Sequence, residues 1–477
     1  MRTMIAVIAS VLLLLAPHSA HAQDGKAALE RVAAALGANL VTSLVYDASG
    51  VNYAVGQSQT AGAPWPKFNV TRYTRSINYD TTASQEDLVR ARADSAPRGG
   101  GLPAMGPARQ IFVVNGDHAW NVAGDTATPA PIALAERQFQ LWTTPHGIVK
   151  AALAGKGSMQ GRTISIAVPG RFKAEALVNE QSLIERVAGT IPNPVLGDLP
   201  IEITYAEYKD FSGVKFPTRI RQTAGGHPAL ELTVTDVQPN MAFDAPVPAA
   251  VRQAANPYLR VTSEKVTDGV WYVTGGSHHS VVIEMKDYAI VVEGPLNDDR
   301  AMAVVMEARK LVPAKPIHYV IASHSHFDHS GGLRAFSSLN VTVITHESAR
   351  GFFERAFEAP ATVAPDRLAK AGRRGAVEGV RAKRVLGDGT RTVEIHHIAG
   401  NLHADDLLMV YLPKEKLLIE ADVFTPPAPN APPAPPNPNT VSFADHVAKL
   451  RLAVDHILPL HGRIVPFAEL QKAIGRP

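Results

Sequence analysis

The segment from Ser323 to Gly332 reads Ser-His-Ser-His-Phe-Asp-His-Ser-Gly-Gly, and it constrains this chain more than any other stretch. Three imidazoles and one carboxylate, His324, His326, Asp328 and His329, fall within six consecutive positions. Upstream, Ile317-His318-Tyr319-Val320-Ile321-Ala322 is apolar and β-branched, as a buried strand is. The cluster therefore sits where a strand stops and a loop begins, so that alternate side chains turn toward one point. A single histidine is ordinarily a surface residue, or a core residue with a satisfied hydrogen bond. Four ligand-type groups packed this closely would, if buried, leave several polar atoms in need of partners. Neutral imidazole and carboxylate are the ligands that borderline cations such as zinc prefer, so the segment reads as a metal site.

A chain of 477 residues is too long for one ordinary core and implies two or three domains. Its formal net charge of +3 is small for this length, and no dense Lys/Arg stripe with interleaved aromatics argues for nucleic acid. The first residues have the form of an export leader. Arg2 supplies the positive start, Met4 to Ala16 the apolar run, and Ala20-His21-Ala22 a small-x-small cleavage site. Cleavage after Ala22 is expected, giving a periplasmic or secreted protein with no transmembrane segment in the mature chain; an uncleaved anchor is the alternative. The chain has no cysteine, which removes thiol nucleophiles, thiolate ligands and iron–sulfur clusters, and leaves core burial and metal to hold an exported fold together.

Residues 24–238 read as a β-rich domain. Phe68–Tyr73, Gln110–Asp117, Ile201–Tyr205, Lys215–Ile220 and Leu230–Val234 have strand character, with turn signals between them. They predict hairpins of an antiparallel sheet with one wet face, accompanied by helices at Lys26–Leu40 and near Gly147–Leu153. The stretch Tyr205–Asn240 resembles the curved sheets of outer-membrane lipoprotein-sorting proteins. Arg98-Gly99-Gly100-Gly101 reads as a flexible loop, since no Lys-Ser/Thr follows to make a phosphate cradle. A Pro/Ala linker spans 239–257.

The second domain, 258–477, holds thirteen of the eighteen histidines, so the chemistry belongs to it. Strands are expected at Val270–Thr274, Ser280–Met285 and Ala289–Glu293, then a helix to Leu311 capped by Asn297 or Asp298. A short helix from Gly332 and strands at Val341–Thr345, Val393–Ile398, Leu407–Leu412 and Leu417–Ala421 follow. This order, strands first and then strands alternating with helices, is that of an α+β fold with sheets covered by helices. Three more ligand-type residues stand at strand ends: His403, Asp422 and His461.

Together these residues resemble the metallo-β-lactamase-fold superfamily of zinc hydrolases, over about Leu259 to Pro477. The HxHxDH signature is met at every position by His324, His326, Asp328 and His329. His403 matches the third-ligand histidine, with Asp406 and Val410-Tyr411-Leu412-Pro413 trailing it, although Leu402-His403-Ala404 stands where Gly-His-Thr is usual. Asp422 matches the bridging aspartate and His461-Gly462 the terminal His-Gly. The resemblance implies an αββα sandwich with two zinc ions per chain. One would be held by His324, His326 and His403, the other by Asp328, His329 and His461, with Asp422 shared. A bridging hydroxide would attack the substrate, with Asp328 orienting it and accepting its proton.

Other positions support plainer readings. His278-His279 follows Gly275-Gly276 and reads first as a solvated loop pair, with a substrate contact by His279 as the alternative. Glu293 ends a strand where the family more often has aspartate, which implies a supporting role. His396 and His397 read as packing or surface residues. Thr425–Asn439, with eight prolines, is either a stiff surface loop or a wall of the site. An aspartate at 422 is typical of the family's thioesterases, lactonases and phosphodiesterases, whereas its β-lactamases usually carry cysteine or serine there. Export disfavours glutathione thioesters. The expectation is an exported dizinc hydrolase cleaving a carboxylic ester, lactone or β-lactam bond of a small molecule. An iron-dependent oxidoreductase of the same fold, or a phosphodiesterase, is the alternative.

Overall fold

The computed structural model describes residues 18–100, 106–432 and 434–476, with side chains from 25 onward. The expected leader, 1–22, lies outside them except for backbone from His18, where the first helix, His18–Leu36, begins. That helix starts earlier than its apolar pattern predicts and ends at Gly37, whose φ of 70° breaks it from the 3-10 turn Ala38–Leu40.

Among the described residues, the amino-terminal half forms one antiparallel sheet of thirteen strands. Two meanders meet where Ser43–Tyr53 pairs with His227–Pro239. Along Gly197–Phe211, Leu199, Ile201, Ile203 and Tyr205 are buried and the residues between them face water, which is the alternation expected of a sheet covered on one side. The covering layer is the first helix with Leu134–Trp142 and Pro145–Ala151. Thr144 caps the last of these by accepting from the Gly147 N–H. The Pro/Ala stretch after the sheet is docked on it: Ala245 and Val251 pack on Val113 and Trp120, and Asn78 and Asn115 donate to the Phe243 and Ala245 carbonyls.

The carboxy-terminal half stacks two sheets. Thr262–Thr267, Val270–Thr274, Ser280–Glu284 and Ala289–Val292 run antiparallel, then Ile317–Ile321, Thr342–His346 and Val377–Val380 join in parallel. A six-stranded sheet from Lys383–Gly387 to Val465–Pro466 faces it. Val281, Ile283 and Ile344 interlock with Ile395, Val410 and Ile419 between the sheets. The helix Asp298–Leu311, with the Asn297 side chain accepting from the Arg300 N–H, covers one outer face together with Leu333–Ser338 and Glu347–Glu358. Pro438–Lys449 and Phe467–Ala473 cover the other. The result is the αββα sandwich, preceded by an antiparallel-sheet domain, in an α+β fold. Among the described residues no helix is long and apolar enough to cross a membrane.

Candidate metal centre

The ligand-type side chains converge at one edge of the sandwich, because the strands there end in polar loops. Ile317–Ile321 runs into Ser323–His329, Leu417–Glu420 into Asp422, and His456–Pro459 into His461. His403 lies in the turn before Leu408–Leu412. Two groups result, each with its ligand atoms within 4.8 Å of one another: His324, His326, His403 and Asp422; and His278, Asp328, His329 and His461. In the first, His324 Nε2 is 2.9 Å from His326 Nδ1 and 3.3 Å from His403 Nε2. In the second, His461 Nε2 is 3.1 Å from His329 Nε2. Asp422 stands between them, with Oδ2 2.9 Å from His403 Nε2 and 3.1 Å from His329 Nε2, and Oδ1 3.0 Å from His461 Nε2.

The partners of the outward-facing ring nitrogens indicate where the protons sit. His326 Nε2 is 2.9 Å from the Ser58 carbonyl, and His461 Nδ1 is 2.9 Å from the Ser277 carbonyl. His329 Nδ1 lies 3.5 Å from the buried Glu293 carboxylate. With the proton held on the outer nitrogen, the inner nitrogen presents a lone pair to the centre, as a metal ligand does. The donor set therefore fits divalent cations of the zinc type.

Electrostatics agree. Burial brings His326 down to about 3 and His278 to about 4, so both are neutral at physiological pH. Burial alone would push the Asp328 and Asp422 carboxyls up, but His329 and the imidazoles beside them hold both well below the usual range. Conversely, burial opposes charge on His329, yet Asp422 and Asp328 raise its pKa well above the ordinary value. The two half-buried carboxylates draw positive charge to this spot.

The turn carrying Asp422 is strained, with φ 64° at a non-glycine residue. Glu420, itself buried, holds it by accepting from the Val423 and Phe424 N–H groups at 3.3 and 3.1 Å.

All seven ligand-type residues singled out from the sequence, His324, His326, Asp328, His329, His403, Asp422 and His461, meet here. His279 does not. It packs against Tyr272, with ring centroids 5.2 Å apart, and its backbone N–H donates to the Leu460 carbonyl. Its neighbour enters instead: His278 is buried, and its Nε2 is 3.2 Å from Asp328 Oδ2. Neighbours in extended backbone point to opposite sides, so His278 faces the centre and His279, the residue just before the strand Ser280–Glu284, faces the core. Arg300, wholly buried, donates to the Thr274 and His278 carbonyls and fixes this loop. The histidine pair after Gly275-Gly276 was the available signal; which member faces inward was not readable. His397 stacks on His346 at 3.8 Å, and His396 bonds to Glu394, so both are packing residues.

A cavity of about 1300 Å³ opens over Asp328, Asp422, His403 and His461. Thr425, Pro427, Pro429, Pro432, Pro435 and Asn437 of the proline-rich segment line it, so these residues form a wall. The opposite wall comes from the other domain, through Gln57, Arg92, Pro97 and Gly99.

A fold and a two-part histidine–carboxylate site of this kind define a class, and comparison with known proteins agrees. Residues 273–468 match the metallo-β-lactamase superfamily, and the carboxy-terminal region carries that superfamily's fold. A 2,4-dinitroanisole O-demethylase subunit alpha from Nocardioides sp. (strain JS1661) is 28% identical over 176 residues, which are 36% of this chain and 48% of that one. The chain thus spans about half the length of this curated relative. Among solved structures, a metallo-β-lactamase from Hirschia baltica is 20% identical over 46% of this chain and 99% of its own, with a TM-score of 0.35. The mono-zinc form of FIM-1 from Pseudomonas aeruginosa is 18% identical over 45% and 94%, with a TM-score of 0.34.

Proposed function

We propose that this protein is a dizinc hydrolase that cleaves a carboxylic ester, lactone or β-lactam bond of a small molecule. The observation that carries the reading is the place of Asp422, whose two oxygens face His403 on one side and His461 on the other at 2.9 and 3.0 Å. His324, His326, His403 and Asp422 would hold one cation, and Asp328, His329 and His461, with His278 beside them, the other. Held there, zinc would supply an activated water near neutral pH and Lewis acidity toward the bond under attack.

The remaining work falls to the protein. Asp328 is positioned to take up the proton released on attack, since each of its oxygens keeps a lone pair beyond its present hydrogen bond. Gln57 and His278 orient it from opposite sides, at 2.8 and 3.2 Å. The leader-like first residues support export to the periplasm or beyond. The Nocardioides relative is named for demethylating an aromatic ether, which adds an activated aryl ether to the bonds worth testing.

The test is turnover by purified, metal-analysed protein against nitrocefin, lactones, aryl esters, thioesters, a phosphodiester and 2,4-dinitroanisole. About two zinc ions per chain with hydrolysis of an ester, lactone or β-lactam supports the reading. One iron per chain, with none of these hydrolysed, overturns it in favour of an oxidoreductase.

A further inference from the structure

The segment Gly56–Thr60 leaves its own sheet and lies against both ligand-bearing loops of the other domain. Gly56 O accepts from the Phe327 N–H at 3.1 Å, and Gln59 O from the Asp405 N–H at 2.8 Å. Between these ties, Gln57 Nε2 donates to Asp328 Oδ1 at 2.8 Å, and the Ser58 carbonyl faces His326 Nε2 at 2.9 Å. A second loop backs the segment: Gly100 N–H donates to Gln57 O at 2.9 Å and Gly99 N–H to Leu402 O at 2.8 Å. Arg92 pins that loop through the Arg98 and Gly99 carbonyls. The approach is close enough that a Cβ on Gly100 would lie 2.6 Å from His326 Cε1, and one on Gly56 would overlap the Phe327 ring. The glycine run that reads as a flexible loop is thus, at Gly99 and Gly100, buried against the metal loop.

We propose that this segment of the amino-terminal domain is an integral part of the metal centre, with Gln57 acting as a positioning residue for Asp328 and the Ser58 carbonyl selecting the tautomer of His326. The inference rests on the dinuclear reading above. The chemistry is direct. A carbonyl oxygen accepts only, so His326 carries its proton on Nε2 and turns the Nδ1 lone pair toward His324 and His403. The other tautomer would set two lone pairs against each other. Gln57 leaves Asp328 one direction in which to present its oxygens, because His278 holds the second oxygen from the far side. Partners behind a ligand of this kind tune metal affinity by fixing its orientation.

The experiment uses the full chain with Gln57→Ala and Gln57→Leu, and with Thr60→Ala as a control. Thr60 Oγ1 donates to Asp405 Oδ2 at 2.6 Å, so its loss loosens the same docking without touching a ligand. Zinc affinity is read by competition with a chromophoric chelator, and ligand geometry by the visible spectrum of the cobalt-loaded protein. In both Gln57 variants one of two zinc ions should bind about 10- to 100-fold more weakly and the cobalt spectrum should change, while Thr60→Ala matches the parent. If the parent binds two zinc ions and the Gln57 variants bind them equally well with an unchanged spectrum, this inference falls alone. Weakening in Thr60→Ala equal to that in the Gln57 variants would reduce Gln57 to a docking contact and overturn its role. If the parent itself binds no zinc, the dinuclear reading falls and takes this inference with it.

Discussion

His278 Nε2 stands 3.2 Å from Asp328 Oδ2, and its ring packs edge-on against His461 with centroids 4.1 Å apart. A histidine from the loop between Val270–Thr274 and Ser280–Glu284, the second hairpin of the sandwich, thus belongs to the group formed by Asp328, His329 and His461. His278→Ala should lower zinc content from about two toward one per chain and reduce turnover at least about tenfold. Metal analysis after dialysis, alongside rate measurements, decides it; two firmly held ions and normal turnover would remove His278 from the centre.

Glu420 holds the strained turn at Asp422 without facing the substrate cavity. In Glu420→Ala the Val423 and Phe424 N–H groups lose their acceptor inside the core, which should cost about 1–3 kcal/mol of stability. Glu420→Gln keeps an oxygen in place, and should recover most of that loss together with the zinc content. Denaturation curves for the three proteins test this, and an alanine variant as stable as the glutamine one would refute it.

The proline-rich wall should govern substrate fit, not chemistry. Replacing Pro427, Pro429 and Pro432 by serine frees a segment that lines the cavity, so binding must then order it. KM should rise by about tenfold, equivalent to about 1.4 kcal/mol, with kcat and zinc content unchanged. A fall in kcat at constant KM would place the segment in the chemical step instead.

A pH dependence of stability is expected from His146, far from the metal site. Its ring is buried flat against Phe216, with Nε2 3.1 Å from the Leu36 carbonyl, and burial lowers its pKa from 6.5 to about 4. Because the folded value is depressed, its contribution is present above pH 6.5 and is lost as pH falls through about 4. The full loss is on the order of 3 kcal/mol. His146→Gln should flatten stability between those limits, as measured by denaturant titration at stepped pH. Superimposable acid limbs in the two proteins would show that His146 does not titrate with unfolding.

Much of the carboxy-terminal half was legible because its signals are local. The strands Val270–Thr274 and Ala289–Val292 are short apolar runs bounded by turns, and Asn297 announces its helix by side-chain capping. His324 to His329 declare themselves by density alone. Leu134–Trp142 escapes a sequence reading because nine residues, though amphipathic, give too few turns for a helical period to stand out. Residues 239–257 read as a linker because alanine and proline look like spacer, yet Ala245 and Val251 bury themselves on a neighbouring sheet.

The sequence by itself determined that a dense cluster of ligand-type residues exists, which seven residues are of that type, and that strand ends deliver them. Those facts depend on residue chemistry and on periods of two and 3.6 within one element. Only the tertiary structure decided that His278 and not His279 turns inward, that the proline-rich segment is a wall, and that Gln57 reaches Asp328 across 271 positions of chain. Periodicity reports which face of an element is buried and never which distant loop buries it. The partners of Asp328 were therefore set by how the two domains pack, a property no stretch of the chain carries alone.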